Sequence, residues 1–284
     1  MITGETKITG LVGNPVVHSL SPSMQNAAYR AAGLNYIYLP FAVPRDYLPG
    51  AARAVVSLGM AGVNVTSPYK EEIIPYLDEL AEEAGLLGAV NTVVNSSGKL
   101  KGYNTDVAGV LYLLESAALP VEGEKVCLLG AGGAAKAAAL ALAKAGARSI
   151  VVANRSVKKA QALKEELCNN GCCREESVEL SGLDKDIFYK KLSGAALIVN
   201  CTSADPVENE LLPPPGELKS LMAAVDLRYN PADPPFLKWG LQAGCAAVNG
   251  LDMLLGQGAR SFEIFTGRKA PVAAMKSALS EVCA

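Results

Sequence analysis

The chain has 284 residues, of which 50% are hydrophobic and 19% charged, and its formal net charge is −2. This balance excludes an intrinsically disordered chain, and it offers no basic surface of the kind that binds nucleic acid or anionic membranes. No apolar run approaches the roughly 20 residues of a transmembrane helix, and the first residues lack the pattern of a signal peptide. We therefore expect a cytoplasmic globular protein, and the length favours two domains.

The cysteine and histidine content bears on metal binding and on acid–base chemistry. The seven cysteines form no Cys-x-x-Cys pair, and the chain has a single histidine, His18. No zinc site is predicted, because the ligand types and spacings are missing. Cys127 and Cys201 lie in apolar strand-like runs, which is typical of small buried thiols. Proton transfer near neutral pH therefore requires another residue type, since His18 precedes a serine-rich loop and is assigned a structural role.

In the first part of the chain, strand-like and helix-like segments alternate, which predicts an α/β architecture with mainly parallel sheets. The spacing of apolar residues distinguishes the two types. Strands are predicted at 7–13, 35–43, 60–66 and 89–95, and helices at 23–33, 46–59, 71–85 and 107–120.

The second part continues the alternation. A strand, a glycine turn and an alanine-rich helix are predicted within 125–146. Two helices, separated by Gly267 and Pro271, end the chain. The further strands are predicted at 148–153, 196–202, 223–229 and 246–250.

The sequence GAGGAA, residues 130–135, is typical of a nucleotide-binding turn because it follows an apolar strand and opens a helix. Gly130 permits the tight turn, and Gly132 and Gly133 let the backbone approach a pyrophosphate. Ala135 allows close packing of helix on sheet, and free N–H groups at the helix start face the phosphate. The alternative is a tight turn without a ligand.

The end of the next strand indicates the cofactor type. An NAD enzyme is expected to place Asp or Glu there, to accept the ribose 2′-hydroxyl. This chain has Asn154, Arg155 and Ser156 instead, followed by two lysines. A guanidinium pairs with a 2′-phosphate through several N–H donors, so NADP is favoured over NAD. The alternative is a solvated basic helix start.

Four polar segments interrupt the apolar first part of the chain, each at a predicted strand end or just before a helix. Ligands of open α/β sheets bind beyond the carboxyl ends of strands, where such side chains would meet. Hydroxyl and amide groups suit a small ligand that carries several hydroxyls and a carboxylate. The segments are NPVVHSLSPSMQN (14–26), NVTSPYKEE (64–72), AVNT (89–92) and GYNTD (102–106).

Together with GAGGAA, NRS, VDLRYNP and NGLDMLLGQGA, these segments resemble the shikimate dehydrogenase family over nearly the whole chain, in the same order. The resemblance implies reversible, NADP-linked reduction of 3-dehydroshikimate to shikimate, in aromatic amino-acid biosynthesis. It implies a catalytic, substrate-binding α/β domain formed by residues 1–106 and by the returning C-terminal helices, 251–284. A Rossmann-type NADP-binding domain, 107–250, would be inserted between them. The oligomeric state is left open between monomer and homodimer.

The resemblance also implies roles for individual residues. Lys70 and Asp106 match the catalytic acid–base pair, whereas a lysine beside Glu71 and Glu72 would otherwise be interpreted as solvated. The positions that match substrate-binding residues are Ser19, Ser21, Asn64, Thr66, Asn91, Tyr229 and Gln257. The positions that match cofactor-binding residues are Gly130, Ala131, Gly132, Gly133, Ala134, Ala135, Asn154, Arg155 and Ser156.

The chain departs from the family pattern at three positions. Gln25 replaces a frequent histidine, and Val107 and Asp205 replace glycines. The Asp205 loop is implied to run near the nicotinamide, so this departure bears on cofactor affinity. Three alternatives remain: a quinate/shikimate dehydrogenase that uses NAD or NADP, a related dehydrogenase of aminated substrates, and a non-catalytic NADP-binding regulator.

Overall fold

The computed structural model describes residues 2–283 and divides into two compact units. The first unit runs up to Thr105 and resumes at Leu255, and the second is Asp106–Leu254. Each unit contains one six-stranded sheet with helices, so the predicted α/β class is confirmed. None of the described helices is long and apolar enough to cross a membrane.

The sheet of the first unit is mixed. Its strands are β1 (Lys7–Gly13), β2 (Tyr36–Ala42), β3 (Gly62–Val65), β4 (Glu79–Leu80), β5 (Thr92–Ser96) and β6 (Lys99–Tyr103), in the order β2-β1-β3-β5-β6-β4. Strands β1, β2 and β3 are parallel, β5 runs antiparallel to β3, and β6 runs antiparallel to β5. The helices are α1 (Ser21–Ala31), α2 (Leu48–Ser57), α3 (Glu82–Leu87), most of α9 (Leu251–Thr266) and α10 (Val272–Cys283).

Both faces of this sheet are covered. The side chains of a strand alternate between its two sides, so each strand contributes residues to the packing on both faces. In β3, Val63 and Val65 are buried in a cluster with residues of α2. On the other face Gly62 lies against the ring of Phe265 in α9, so closely that an added Cβ would stand 2.8 Å from that ring. Asn64 shares the face of Gly62, which directs its amide toward α9.

The helix predicted at 71–85 is wrong over most of its length. The segment contains a short 3₁₀ turn (Ile74–Tyr76), the strand β4 and the short helix α3. The N–H of Asp78 donates to Leu100 O at 2.8 Å, and its carboxylate accepts from the N–H of Leu100 at 2.6 Å. Pairing with β6 satisfies these backbone groups, so tertiary contacts override the local helical spacing. Lys70 consequently precedes a turn, and no long helix follows it.

Strand β6 was not predicted, although the sequence carries a signal for it. β5 and β6 form a hairpin whose loop residues Ser97 and Gly98 have φ of 52° and 89°. Positive φ at both positions is the requirement of a type I′ turn, and a Ser-Gly pair between alternating residues is compatible with it. The hairpin brings the start of β5 and the end of β6 to the same edge of the sheet.

The strands of the second unit are β7 (Lys125–Leu129), β8 (Ser149–Ala153), β9 (Val178–Ser181), β10 (Ala195–Asn200), β11 (Ala223–Asp226) and β12 (Ala246–Val248). Their sheet is entirely parallel, and its order is β12-β11-β10-β7-β8-β9. When β7 is counted as strand 1 and the sheet is read from β9, this is the 3-2-1-4-5-6 order of a Rossmann fold. The helices are α4 (Asp106–Ser116), α5 (Gly133–Lys144), α6 (Val157–Asn169), α7 (Lys185–Leu192), α8 (Pro235–Gln242) and the first residues of α9.

The central strands of this sheet are buried on both faces, as parallel strands require. In β7, Cys127 and Leu129 pack into one cluster with α7 and α8, while Val126 and Leu128 are buried on the opposite side. Helix α5 is buried along most of its length, because its alanines allow helix and sheet to approach closely. The described cysteines are free thiols, and burial raises the pKa of Cys127 to about 12.

Candidate functional site

The polar segments of the first unit meet at one edge of its sheet. The loops after β1 and β3 leave the carboxyl ends of neighbouring parallel strands. Because β5 is antiparallel, its start lies at this same edge, and so does the end of β6. Residues from all four polar segments are thus brought together, which is the arrangement expected of ligand sites in α/β proteins.

The loops after β1 and β3 are packed against each other. Asn14 N–H donates to Ser67 O at 3.1 Å, and an added Cβ on Gly13 would stand 2.4 Å from the Thr66 methyl group. On the first loop the hydroxyl of Ser19 accepts the N–H of Ser21 at 3.3 Å, and Ser21 is the first residue of α1. The two hydroxyls therefore lie at a helix N-terminus, where an anion is stabilised by the helix dipole.

Asn64 is the centre of a buried hydrogen-bond network. Its Oδ1 accepts the hydroxyl of Tyr38 at 2.8 Å. Its Nδ2 lies within 3.0 Å of Asn91 O, Thr92 Oγ1 and Ser261 Oγ. The backbone carbonyl of Asn91 sets the orientation of the amide, since a flipped amide would place Oδ1 against this acceptor, whereas the three hydroxyls can donate or accept.

Asn91 and Gln257 join the same network through Thr105. The side-chain oxygen of Asn91 accepts the N–H of Thr105 at 2.8 Å, and Thr105 Oγ1 lies 3.5 Å from Gln257 Oε1. Ser261 Oγ lies 3.2 Å from Thr105 Oγ1 and donates to the carbonyl of Gln257 at 3.0 Å. Lys70 is half-buried, and its carbonyl accepts the N–H of Val90 at 2.7 Å, which ties the Lys70 loop to the Asn91 segment.

Four members of this network were not among the predicted site residues: Tyr38, Thr92, Thr105 and Ser261. Each is nearly inaccessible to solvent. Burial raises the pKa of Tyr38 well above its usual value, so its hydroxyl remains neutral. A hydrogen bond with Ser21 lowers this pKa, but by less than burial raises it. Thr92 and Thr105 lie inside the polar segments AVNT and GYNTD, whereas nothing in the local pattern distinguishes Tyr38 or Ser261.

All three departures from the family pattern are buried, and Gln25 and Val107 lie in helices α1 and α4. Gln25 donates from Nε2 to Gly258 O at 2.8 Å, which connects α1 to α9, and its Oε1 has no partner among the described residues. Val107 is fully buried in the first turn of α4. His18, by contrast, is exposed.

In the second unit, the glycine turn lies where the strand order reverses. β7 and β10 are neighbours, and their following loops diverge from the carboxyl edge of the sheet. Gly130 follows β7 with φ of 111°, and an added Cβ would stand 3.0 Å from Thr202 Cγ2. Gly132 and Gly133 are exposed at the start of α5, with no atom within 4 Å of an added Cβ. This is the crevice in which open α/β sheets bind dinucleotides.

A cavity of about 400 Å³ lies at this crevice. Its volume is in the usual range for small-molecule sites. Asn154 and Arg155 line one side, and the loop after β10 lines the other. The lining residues are Leu129, Gly130, Ala153, Asn154, Arg155, Leu183, Thr202, Ser203, Ala204, Asp205, Pro206, Asn209 and Leu211.

The remaining predicted positions of the second unit lie in and around the glycine turn or at the starts of helices. Ala131 is partly buried in the turn, Ala134 is partly buried in the first turn of α5, and Ala135 is fully buried in α5. Ser156 precedes α6, and its carbonyl accepts from Asn154 Nδ2 at 2.9 Å. Two further positions complete the set: Tyr229, which follows β11 and is half-buried, and Asp106, the first residue of α4, which is buried.

No group of three or more His, Cys, Asp or Glu side chains in the described part of the chain could hold a metal ion. The groups near the crevice of the second unit are suited to an anionic ligand, because N–H donors and the exposed Arg155 surround it.

Three family models match most of the chain. They describe the shikimate dehydrogenase substrate-binding domain (residues 11–93), shikimate/quinate 5-dehydrogenase (113–206) and the shikimate 5′-dehydrogenase C-terminal domain (250–279). A shikimate dehydrogenase (NADP⁺) of Methanopyrus kandleri is 43% identical, and the alignment covers 99% of this chain and 97% of the relative. The chain belongs to the shikimate dehydrogenase family.

Solved structures of the family agree over the full length. A shikimate dehydrogenase in complex with NADP⁺ has a TM-score of 0.89 and 39% identity, with 100% of this chain and 98% of that chain covered. The shikimate 5-dehydrogenase of Listeria monocytogenes, in complex with shikimate and NAD, has a TM-score of 0.87 and 34% identity, with 98% of each chain covered. The family resemblance and the Rossmann architecture of the second unit are thereby confirmed.

Proposed function

We propose that this protein catalyses the reversible reduction of 3-dehydroshikimate to shikimate with NADPH. The observation that carries the proposal is the buried polar network at one sheet edge of the first unit. It occurs in a chain whose relatives are named shikimate dehydrogenase (NADP⁺). Hydroxyl and amide groups in fixed orientations are suited to a substrate that carries several hydroxyls, because each group can pair with one of them.

In this proposal the first unit and the C-terminal helices bind the substrate, and the second unit binds the cofactor. Ser19 and Ser21, at the N-terminus of α1, donate hydrogen bonds to the substrate carboxylate, with help from Tyr229. The groups that hydrogen-bond the ring substituents or the carboxylate are Asn64, Thr66, Asn91 and Gln257.

The residues that surround the second crevice fit a nicotinamide dinucleotide. Gly130 adopts a conformation that L side chains rarely reach, and the open positions of Gly132 and Gly133 leave room for a pyrophosphate against the backbone. Asn154, Arg155 and Ser156 follow β8 without an acidic neighbour, which favours a 2′-phosphate over a free hydroxyl. The positions that complete this set are Ala131, Ala134 and Ala135.

The chemistry assigned to this chain's own residues is proton transfer. When it is bound in its reduced form, the cofactor would supply the hydride that reduces the ketone carbon. Negative charge then develops on the ketone oxygen, which requires a proton or a cationic donor beside it. Lys70 donates that proton, since its ammonium group is a compact cation with three donors, and Asp106 orients the ammonium group. In the oxidative direction Lys70 receives the proton from the hydroxyl.

The proposal is tested by initial rates of reduced-nicotinamide formation by the purified protein. Shikimate and quinate are each supplied with NADP⁺ and with NAD⁺. Fast turnover with shikimate and NADP⁺ supports both the substrate and the role of Arg155. Preference for quinate or NAD⁺ would instead place the protein with the broader quinate/shikimate dehydrogenases. Tight NADPH binding without turnover would identify a non-catalytic regulator.

A further inference from the structure

Asp205, one of the three departures from the family pattern, lies in the loop between β10 and β11 and is only 4% exposed. Both oxygens of its carboxylate accept hydrogen bonds from backbone N–H groups. Oδ1 accepts the N–H of Val207 at 2.9 Å and that of Glu208 at 3.4 Å, and Oδ2 accepts the N–H of Phe236 at 3.1 Å. The side chain therefore connects its own loop to the first turns of α8. A buried carboxylate is retained only with such partners, because its desolvation is costly.

Arg228, which follows β11, supplies the positive charge for this carboxylate. Its Nη2 lies 3.5 Å from Asp205 Oδ2 and 2.6 Å from Asp226 Oδ2. The pKa of Arg228 is raised, first by its hydrogen bond to Asp226, with Asp205 contributing. Nη1 of Arg228 also donates to Ser203 O at 2.9 Å. One guanidinium thus connects two buried carboxylates to the backbone of the β10–β11 loop.

The loop that these groups hold forms one wall of the cavity at the glycine turn. Ser203, Ala204 and Asp205 line it, and Thr202 Cγ2 lies 3.0 Å from the position of a Cβ on Gly130. Thr202 is itself fixed, because its hydroxyl donates to Asn200 Oδ1 at 2.8 Å. The spacing between this loop and the glycine turn, and hence the width of the crevice, depends on the hydrogen bonds of the loop.

We propose that Asp205 is a positioning residue for nicotinamide cofactor binding: together with Arg228 it holds residues 202–205 at the distance from Gly130 that admits the dinucleotide. The proposal rests on the function proposed above, because it assigns the cavity to that cofactor. A glycine at this position would leave the N–H groups of Val207, Glu208 and Phe236 without their acceptor, and it would remove one of the two carboxylates beside Arg228. In this chain the Asp205 side chain therefore holds the loop. Asp205 acts through the loop and is not assigned to the chemistry.

The test compares NADPH dissociation constants, measured by fluorescence titration, for the wild type and for Asp205→Asn. An asparagine of the same size places an NH₂ group where an oxygen now accepts donors, so part of the loop must move. We expect the NADPH dissociation constant to rise about tenfold, the effect of losing one charge-assisted hydrogen bond. The KM for NADP⁺ should rise in parallel, while the KM for shikimate stays within about twofold of the wild type.

The matched control is Glu208→Gln, which removes one negative charge from the same loop at an exposed side chain. It should leave both constants unchanged. An NADPH dissociation constant for Asp205→Asn within twofold of the wild type would overturn the proposal. So would a fall in Vmax with unchanged KM values, since partial unfolding reduces the active fraction without changing the affinity of the folded molecules.

Two further measurements separate the possible failures. If Asp205→Asn does not fold, Arg228→Lys keeps the positive charge but shortens the reach to Ser203 O, and NADPH binding should again weaken more than shikimate binding. The titration of the wild type tests the proposed function itself. Tight NADPH binding without shikimate turnover would contradict the proposed activity, and the comparison of NADPH affinity between the wild type and Asp205→Asn would still be valid. A wild type that does not bind NADPH would overturn both proposals.

Discussion

At the scale of single residues, Lys70 is the position at which the proposed chemistry is most directly testable. Lys70→Ala removes the proton donor, and general acid catalysis contributes about 10²–10⁴-fold in rate. We therefore expect kcat for shikimate oxidation to fall by about that factor, with a much smaller change in the KM for shikimate. The measurement is steady-state kinetics with NADP⁺.

The control for Lys70 is Lys99→Ala, which makes the same side-chain change at an exposed position in the same unit. Its turnover should match that of the wild type. Near-normal turnover of Lys70→Ala would show that another group transfers the proton, and the catalytic assignment would then be abandoned.

Tyr38 is a residue whose importance becomes visible only in the structure. Tyr38→Phe removes the hydroxyl that fixes Asn64 Oδ1 at 2.8 Å and leaves the ring in place. We expect a loss of about 1–2 kcal/mol in the free energy of unfolding, because a buried acceptor loses its donor. If Asn64 contacts the substrate, the KM for shikimate should also rise severalfold, while the KM for NADP⁺ stays constant.

Tyr47→Phe makes the same chemical change at a side chain that is 69% exposed, and it should alter neither stability nor kinetics. An unchanged KM for shikimate in Tyr38→Phe, despite a measured loss of stability, would restrict Tyr38 to a structural role. Urea unfolding and initial rates on the same preparations distinguish these outcomes.

At the scale of elements, the turn between β7 and α5 depends on Gly130. Gly130→Ala adds a Cβ at a φ of 111°, and this atom would stand 3.0 Å from Thr202 Cγ2. The backbone strain costs about 1–3 kcal/mol, and relieving the contact displaces the loop opposite. We expect NADPH binding, followed by fluorescence, to weaken by more than the general loss of stability explains.

Gly123→Ala is the control that separates the effect of backbone strain from the effect of the contact with Thr202. Gly123 also has a positive φ, 74°, but no atom lies within 4 Å of an added Cβ. This variant should lose stability and keep the NADPH affinity of the wild type. Equal affinities for the two variants would indicate that the β7–α5 turn does not form the cofactor crevice.

The elements also show where local patterns mislead. The helical spacing of residues 71–85 is real, yet β4 forms there because its backbone pairs with β6. Conversely, the first of the two helices predicted at the end of the chain is formed as predicted, as α9 (Leu251–Thr266), which ends directly before Gly267. The difference is burial: α9 has a continuous apolar side to pack on the sheet, whereas the earlier segment contains Pro75 and lies at a sheet edge.

At the scale of the whole molecule, the two units divide the chain at Thr105–Asp106 and Leu254–Leu255. The boundaries expected from the sequence were 106–107 and 250–251, and the second expectation differs because α9 runs continuously through that region. This boundary lies inside a continuous helix, so tertiary contacts determine it, and no local helix end marks it.

The α/β class, the Rossmann turn and the family were predictable from the sequence alone, because they depend on local periodicity, on glycines that local geometry requires, and on motifs in a set order. The position of the polar segments at strand ends likewise indicated a ligand site. Which side chains bond one another at that site became known from the folded structure. The bonds of Tyr38 with Asn64, Ser261 with Thr92, and Asp205 with Arg228 join residues far apart in the chain. Such pairs leave no local pattern, since they form only when the strands and helices that carry them have packed.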